Sequence, residues 1–73
     1  MKKILILGSE GYLGSVLTPY LSKNKYEIVG VDQCFFGKNN KSNKKIKIIK
    51  KNYFDLTLNF LKKFHFIVDL INI

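Results

Sequence analysis

The 73 residues include no arginine, no alanine and no tryptophan, and only one cysteine, one histidine and one proline. A single cysteine, Cys34, excludes an internal disulfide framework and any multi-cysteine metal site. A single histidine, His65, leaves no histidine cluster for zinc. Long hydrophobic runs are missing too. The apolar stretch at residues 4–7 is interrupted by Gly8-Ser9-Glu10, too short for the core of a signal peptide and far too short to cross a bilayer. The expected setting is therefore reducing and cytoplasmic, with no membrane partner. The length allows one small domain, which buries only about 60% of the surface its unfolded chain exposes.

Acidic residues are also scarce: thirteen basic against five acidic side chains give a net charge of +8. Such a balance suggests an anionic partner, yet every basic residue is lysine. Nucleic-acid sites lean on arginine for bidentate contacts to phosphate and guanine. The abundance of lysine, asparagine and isoleucine reads as a compositional bias with a solvated lysine surface, and nucleic acid is disfavoured as a partner. Seven lysines at residues 38–51, with no acid among them, are the best candidates for a second function. Aromatic residues do not alternate with them as a stacking platform for single strands requires.

Apolar patterning supplies the architecture. Residues 2–7 read as a short strand buried on both faces of a parallel sheet. A glycine-rich turn follows at residues 8–14. Leu13, Val16, Leu17, Tyr20 and Leu21 then recur with the period of one helix face, with a bend expected at Pro19 and an end at residues 23–25. Residues 27–31 form a second strand closed by Asp32, and residues 33–45 a loop. Residues 46–50 form a third strand whose lysines suit a sheet edge. Asp55 is placed as the N-cap of a helix running to Phe64, with Leu56, Phe60, Leu61 and Phe64 inward. Residues 66–71 form a fourth strand. The order β-α-β-β-α-β predicts an α/β fold: a four-stranded parallel sheet, order 3-2-1-4, with one helix on each face.

The turn has chemistry of its own. Gly8-Ser9-Glu10-Gly11-Tyr12-Leu13-Gly14 is a G-x-x-G-x-x-G pattern between a strand and a helix. Gly8 allows the sharp exit from the strand, Gly11 lets a pyrophosphate approach the amides at the helix N-terminus, and Gly14 allows close helix packing. Asp32 lies 18 residues beyond Gly14 at the end of the second strand. That is close to the separation of about 20 expected for a carboxylate binding the adenosine ribose. Its charge favours NAD over a 2′-phosphorylated dinucleotide. Glu10 is expected to be exposed, Cys34 to be an inert loop thiol, and His65 to lie at the surface.

These residues resemble the extended short-chain dehydrogenase/reductase family, especially its NAD-dependent epimerase/dehydratase branch. The segment from Gly8 through Leu17 looks like that family's opening signature, and Asp32-Gln33-Cys34-Phe35-Phe36-Gly37 is similar to its ribose-binding stretch. Asn52-Tyr53-Phe54-Asp55-Leu56 looks like the segment near the adenine, with Asn52 where the family usually has Asp. After the fourth strand the chain reads Asp69-Leu70-Ile71-Asn72, where the family commonly has a histidine and two small residues. The resemblance implies a partial Rossmann fold, residues 1–73 being the N-terminal half of an NAD(P)-binding domain. It also implies that Gly8, Gly11, Tyr12, Leu13 and Gly14 hold the pyrophosphate of NAD, Asp32 the ribose, and Asn52 with Tyr53 the adenine side.

The family's catalysis uses a Tyr-x-x-x-Lys pair, in which lysine lowers the tyrosine pKa for proton transfer to and from a substrate hydroxyl. Four positions after Tyr12, Tyr20, Tyr26 and Tyr53 stand Val16, Asn24, Gly30 and Thr57. No catalytic residue is therefore assigned, and a nucleotide sugar would be a partner only with the family's C-terminal substrate region supplied. The expected role is the NAD-binding portion of an epimerase/dehydratase-like oxidoreductase, inactive alone. Two alternatives remain open: a freestanding or partner-docking adenine-nucleotide module, and a lysine-mediated nucleic-acid binder. A bare, apolar fourth-strand edge would favour self-association.

Overall fold

The computed structural model describes residues 2–33, 45–52 and 55–71. Cys34, residues 35–44 with their lysines, Tyr53, Phe54 and Asn72 lie outside them. Six elements follow in chain order: β1 (Lys2–Leu7), α1 (Tyr12–Lys23), β2 (Tyr26–Asp32), β3 (Ile46–Lys50), α2 (Leu58–Leu61) and β4 (Phe66–Asp69). The strands form one parallel sheet in the order β3-β2-β1-β4. This is the α/β arrangement read from the sequence, with β1 central and β3 and β4 at the edges. The apolar stretches at residues 4–7 of β1 and 28–31 of β2 suit the inner pair, whereas β3 at the edge carries Lys47 and Lys50.

Side-chain alternation divides the core in two. On the α1 side, Ile4, Ile6, Ile28, Ile46 and Ile48 form a buried cluster, with Leu21, Tyr26, Val68 and Leu70 packed against it. Leu5 and Val31 point to the other face and are also fully buried. There α2 stands off the sheet over an open cavity of about 440 Å³, whose lining includes Ile49, Phe60, Phe64, Lys3 and Lys47.

Three local expectations are corrected. The helix face turned inward by α1 carries Gly14 and Thr18, whereas Leu13, Val16 and Tyr20 are exposed. Gly14 draws that side of the helix against the turn before it, which rotates the apolar stripe outward. Leu13, Val16, Leu17 and Tyr20 then line an apolar groove with Leu70. The second helix is shorter than expected and is capped by Thr57, not Asp55: the Thr57 hydroxyl accepts the Phe60 N–H at 3.2 Å. Leu56, Phe60, Leu61 and Phe64 are only half-buried. Strand β4 ends at Asp69, whose carboxylate takes the Ile71 N–H at 2.9 Å and turns the chain out of the ladder.

The ends of α1 follow from its sequence. Gly11 is an extended N-cap with no side-chain bond to the first turn. The helix continues through Pro19 to an Asn24 C-cap, followed by Lys25 at φ 66. His65 is exposed, as expected; its Nδ1 accepts the Lys3 N–H and its own N–H donates to the Lys3 carbonyl, both at 2.9 Å.

Candidate functional site

All parallel strands of the sheet present their C-terminal ends on one side, and the glycine turn emerges there between its two inner strands. Gly8 has φ +87, a left-handed conformation that a side chain resists. Its N–H donates to the Val31 carbonyl at 2.8 Å, carrying the β1–β2 ladder one step into the turn. The Gly11 N–H donates to the Gly8 carbonyl at 3.2 Å. A Cβ on Gly14 would lie 2.6 Å from the Ser9 carbonyl carbon, so glycine sets how closely α1 approaches the turn. Gly11 is different: a Cβ there would meet only the Gly8 carbonyl oxygen, at 3.5 Å. Its outer side is open for a ligand.

Asp32 ends β2 beside this turn. Its carboxylate oxygen Oδ2 accepts the Glu10 N–H at 3.1 Å, and its carbonyl accepts the Lys51 N–H at 2.9 Å. The sequence-predicted acid and glycine loop are therefore joined directly. A carboxylate offers about four lone-pair sites for donors. Asn52 stands two residues past β3 on the same side of the sheet, and its carbonyl accepts the Asp55 N–H at 3.0 Å. The structure thus brings together Gly8, Gly11, Tyr12, Leu13, Gly14 and Asp32, with Asn52 at the neighbouring strand end. Tyr53 lies outside the described residues.

Sequence reasoning passed over Ser9 and misplaced Glu10 in this neighbourhood. Ser9 is fully buried and occupies the space left by Gly30 on β2, where a Cβ would come within 2.6 Å of Ser9 Cβ and 2.9 Å of Ile48 Cδ1. A glycine in the middle of a β-branched strand was the available signal for such an approach. Glu10, expected in solvent, is 3% exposed. Its amide is tethered to Asp32, so the residue folds into the turn. Ile71, noted in the sequence for standing where the family commonly has a small residue, has its Cγ1 3.2 Å from where a Cβ on Gly8 would lie, so it packs over the exit from β1.

The residues fit a dinucleotide. The first-turn amides of α1 receive no side-chain cap, so they and the helix's partial positive charge suit a diphosphate. The exposed Gly11 provides the approach and the Asp32 carboxylate suits a ribose. Among the described residues there is no cluster of three or more potential metal ligands, and no helix is long and apolar enough to cross a membrane.

A parallel sheet with a glycine turn at β1 and an acid at the end of β2 defines a Rossmann-type nucleotide-binding fold. The profile of the NAD dependent epimerase/dehydratase family matches residues 4–71, and the chain belongs to that family. A similar solved structure is SP1627 of Streptococcus pneumoniae TIGR4, provisionally an NADH-flavin reductase: TM-score 0.74 at 20% identity, over 94% of this chain. The chain spans 30% of that protein's length.

Proposed function

We propose that the chain binds NAD through its glycine turn and Asp32, as the cofactor-holding part of an epimerase/dehydratase-type oxidoreductase acting on a nucleotide sugar. The observation that carries this reading is the bond from the Glu10 N–H to Asp32 Oδ2. It ties the phosphate-facing turn to the ribose-facing acid in one rigid unit, so that both ends of an adenosine diphosphate would be met without rearrangement.

The amides of Tyr12 and Leu13 at the open end of α1 would receive the pyrophosphate, and Asp32 would accept from the ribose hydroxyls. Asn52 would face the adenine amino group through its amide oxygen, with Tyr53 alongside. When bound, the cofactor supplies a hydride acceptor and donor. The Tyr-x-x-x-Lys pair that the family uses for proton transfer does not occur in these 73 residues. A cytoplasmic location accords with that cofactor.

A ligand that binds only the folded chain raises its stability by RT ln(1 + [L]/Kd), about 2.7 kcal/mol at a hundredfold excess over Kd. NAD at millimolar concentration is therefore expected to raise the thermal midpoint. A folded sample whose midpoint stays where it was would reject the cofactor reading.

A further inference from the structure

The face of the sheet turned towards α2 sorts its side chains by charge along the strands. Lys3 of β1 stands in register with Glu27 of β2, and Lys47 of β3 with Val29. Two residues beyond Lys3, Glu27 and Lys47, alternation puts Leu5, Val29 and Ile49 on the same face. Helix α2 is too short to cover this surface, and none of its four residues is buried. Phe60 and Phe64 pack edge-to-face, with ring centroids 5.2 Å apart. The resulting cavity of about 440 Å³ is walled by Val29, Ile49, Phe60 and Phe64. Lys3, Lys45, Lys47, Lys63 and Glu27 also line it. A second cavity of about 320 Å³ adjoins it and shares Ile49, Phe60 and Lys63. The larger volume falls in the range of about 300–1,000 Å³ usual for small-molecule sites.

We infer that this cavity is a second ligand site, which takes a single-chain anionic amphiphile of the fatty-acid class. Four lysines against one glutamate give its lining a net positive charge, which favours an anion. A wholly polar anion such as phosphate would leave the walls formed by Val29, Ile49, Phe60 and Phe64 in water. A neutral hydrocarbon would use the walls and not the charge. An acyl chain removes the apolar surface from water while its carboxylate stays at the rim. The flexible lysine stems lie along apolar surface and carry their ammonium groups to that rim. The adjoining cavity lengthens the apolar space, which suits a long, thin body. This site stands at the other end of the strands from the glycine turn, so it is independent of the dinucleotide reading.

The test is calorimetric titration of the folded 73-residue chain with laurate below its micelle concentration. One laurate is expected to bind saturably. Each buried methylene is worth about fourfold in affinity, so decanoate, two methylenes shorter, should bind about sixteenfold more weakly. Dodecyltrimethylammonium, with the same chain length and the opposite charge, should not saturate the site. The double variant Lys47→Gln/Lys63→Gln changes exposed side chains alone and is expected to weaken laurate about fivefold. Val29→Phe fills the space and should abolish binding; if that variant does not fold, the lysine variant decides. No saturable laurate binding, equal binding of the cationic amphiphile, or unchanged laurate affinity in the lysine variant would overturn the inference. Retention of the chain on phosphatidylglycerol vesicles without laurate binding would overturn it too, by assigning the lysines to a membrane surface. None of these outcomes bears on the cofactor reading, which stands or falls on the response to NAD.

Discussion

Ser9 and Gly30 show how a single missing side chain shapes the site. Gly30 sits in β2 directly opposite Ile6 of β1, and its bare Cα admits the Ser9 side chain against the sheet. That contact seats the turn, and Glu10, the next residue, is thereby brought to Asp32. Gly30→Ala would insert a methyl group into an occupied space, an overpacking that costs about 1–3 kcal/mol. In a domain whose total stability is of order 5 kcal/mol, this is a severe loss. Urea denaturation is expected to show a lower midpoint, and nucleotide binding should weaken with it as the turn shifts. An unchanged midpoint would mean that Ser9 is not lodged there. Gly8, Gly11, Gly14 and Asp32 were legible from spacing alone. The burial of Ser9 was not, because it depends on the empty side of Gly30, nor was that of Glu10, whose amide is bonded to Asp32 across the turn.

Among elements, the strands were the most legible and the helices the least. Each strand carries a short apolar stretch, broken by lysine only in the edge strand β3, and its partners follow from the parallel connections. The inward face of α1 was misread because periodicity gives equal weight to every apolar residue, whereas the packing distance is set by Gly14. Gly14 and Thr18, four residues apart, share the buried face, and the larger Leu13, Val16 and Tyr20 are turned aside. Thr18 is the polar exception: its buried Oγ1 has no hydrogen-bond partner among the described residues. Thr18→Val keeps the shape and removes the unmet hydroxyl, so it is expected to stabilise the fold by about 1 kcal/mol, read as a higher thermal midpoint. A lower midpoint would show that the hydroxyl is satisfied in solution. In α2 the cap moved from Asp55 to Thr57, since either side chain can accept a first-turn amide and only the backbone path decides between them.

At the scale of the molecule, one end of the sheet carries the chemistry and the rest supports it. The inner pair β1 and β2 is well covered; the edges are not. On β4, Phe66 and Ile67 are about half exposed, and the β4 side is where the open order 3-2-1-4 would accept further strands. Among the described residues, Lys3, Lys45, Lys47 and Lys63 border the cavity under α2, at the other end of the strands from the glycine turn. The central claim is that the turn and Asp32 together hold a dinucleotide. It is tested most directly by isothermal titration of NADH into the wild-type chain and into Asp32→Ala. Hydrogen bonds that the Asp32 carboxylate accepts from the ribose hydroxyls contribute about 1.5–3 kcal/mol, so saturable binding to the wild type and affinity about ten- to a hundredfold weaker in the variant are predicted. Equal affinities in two folded proteins would contradict the account.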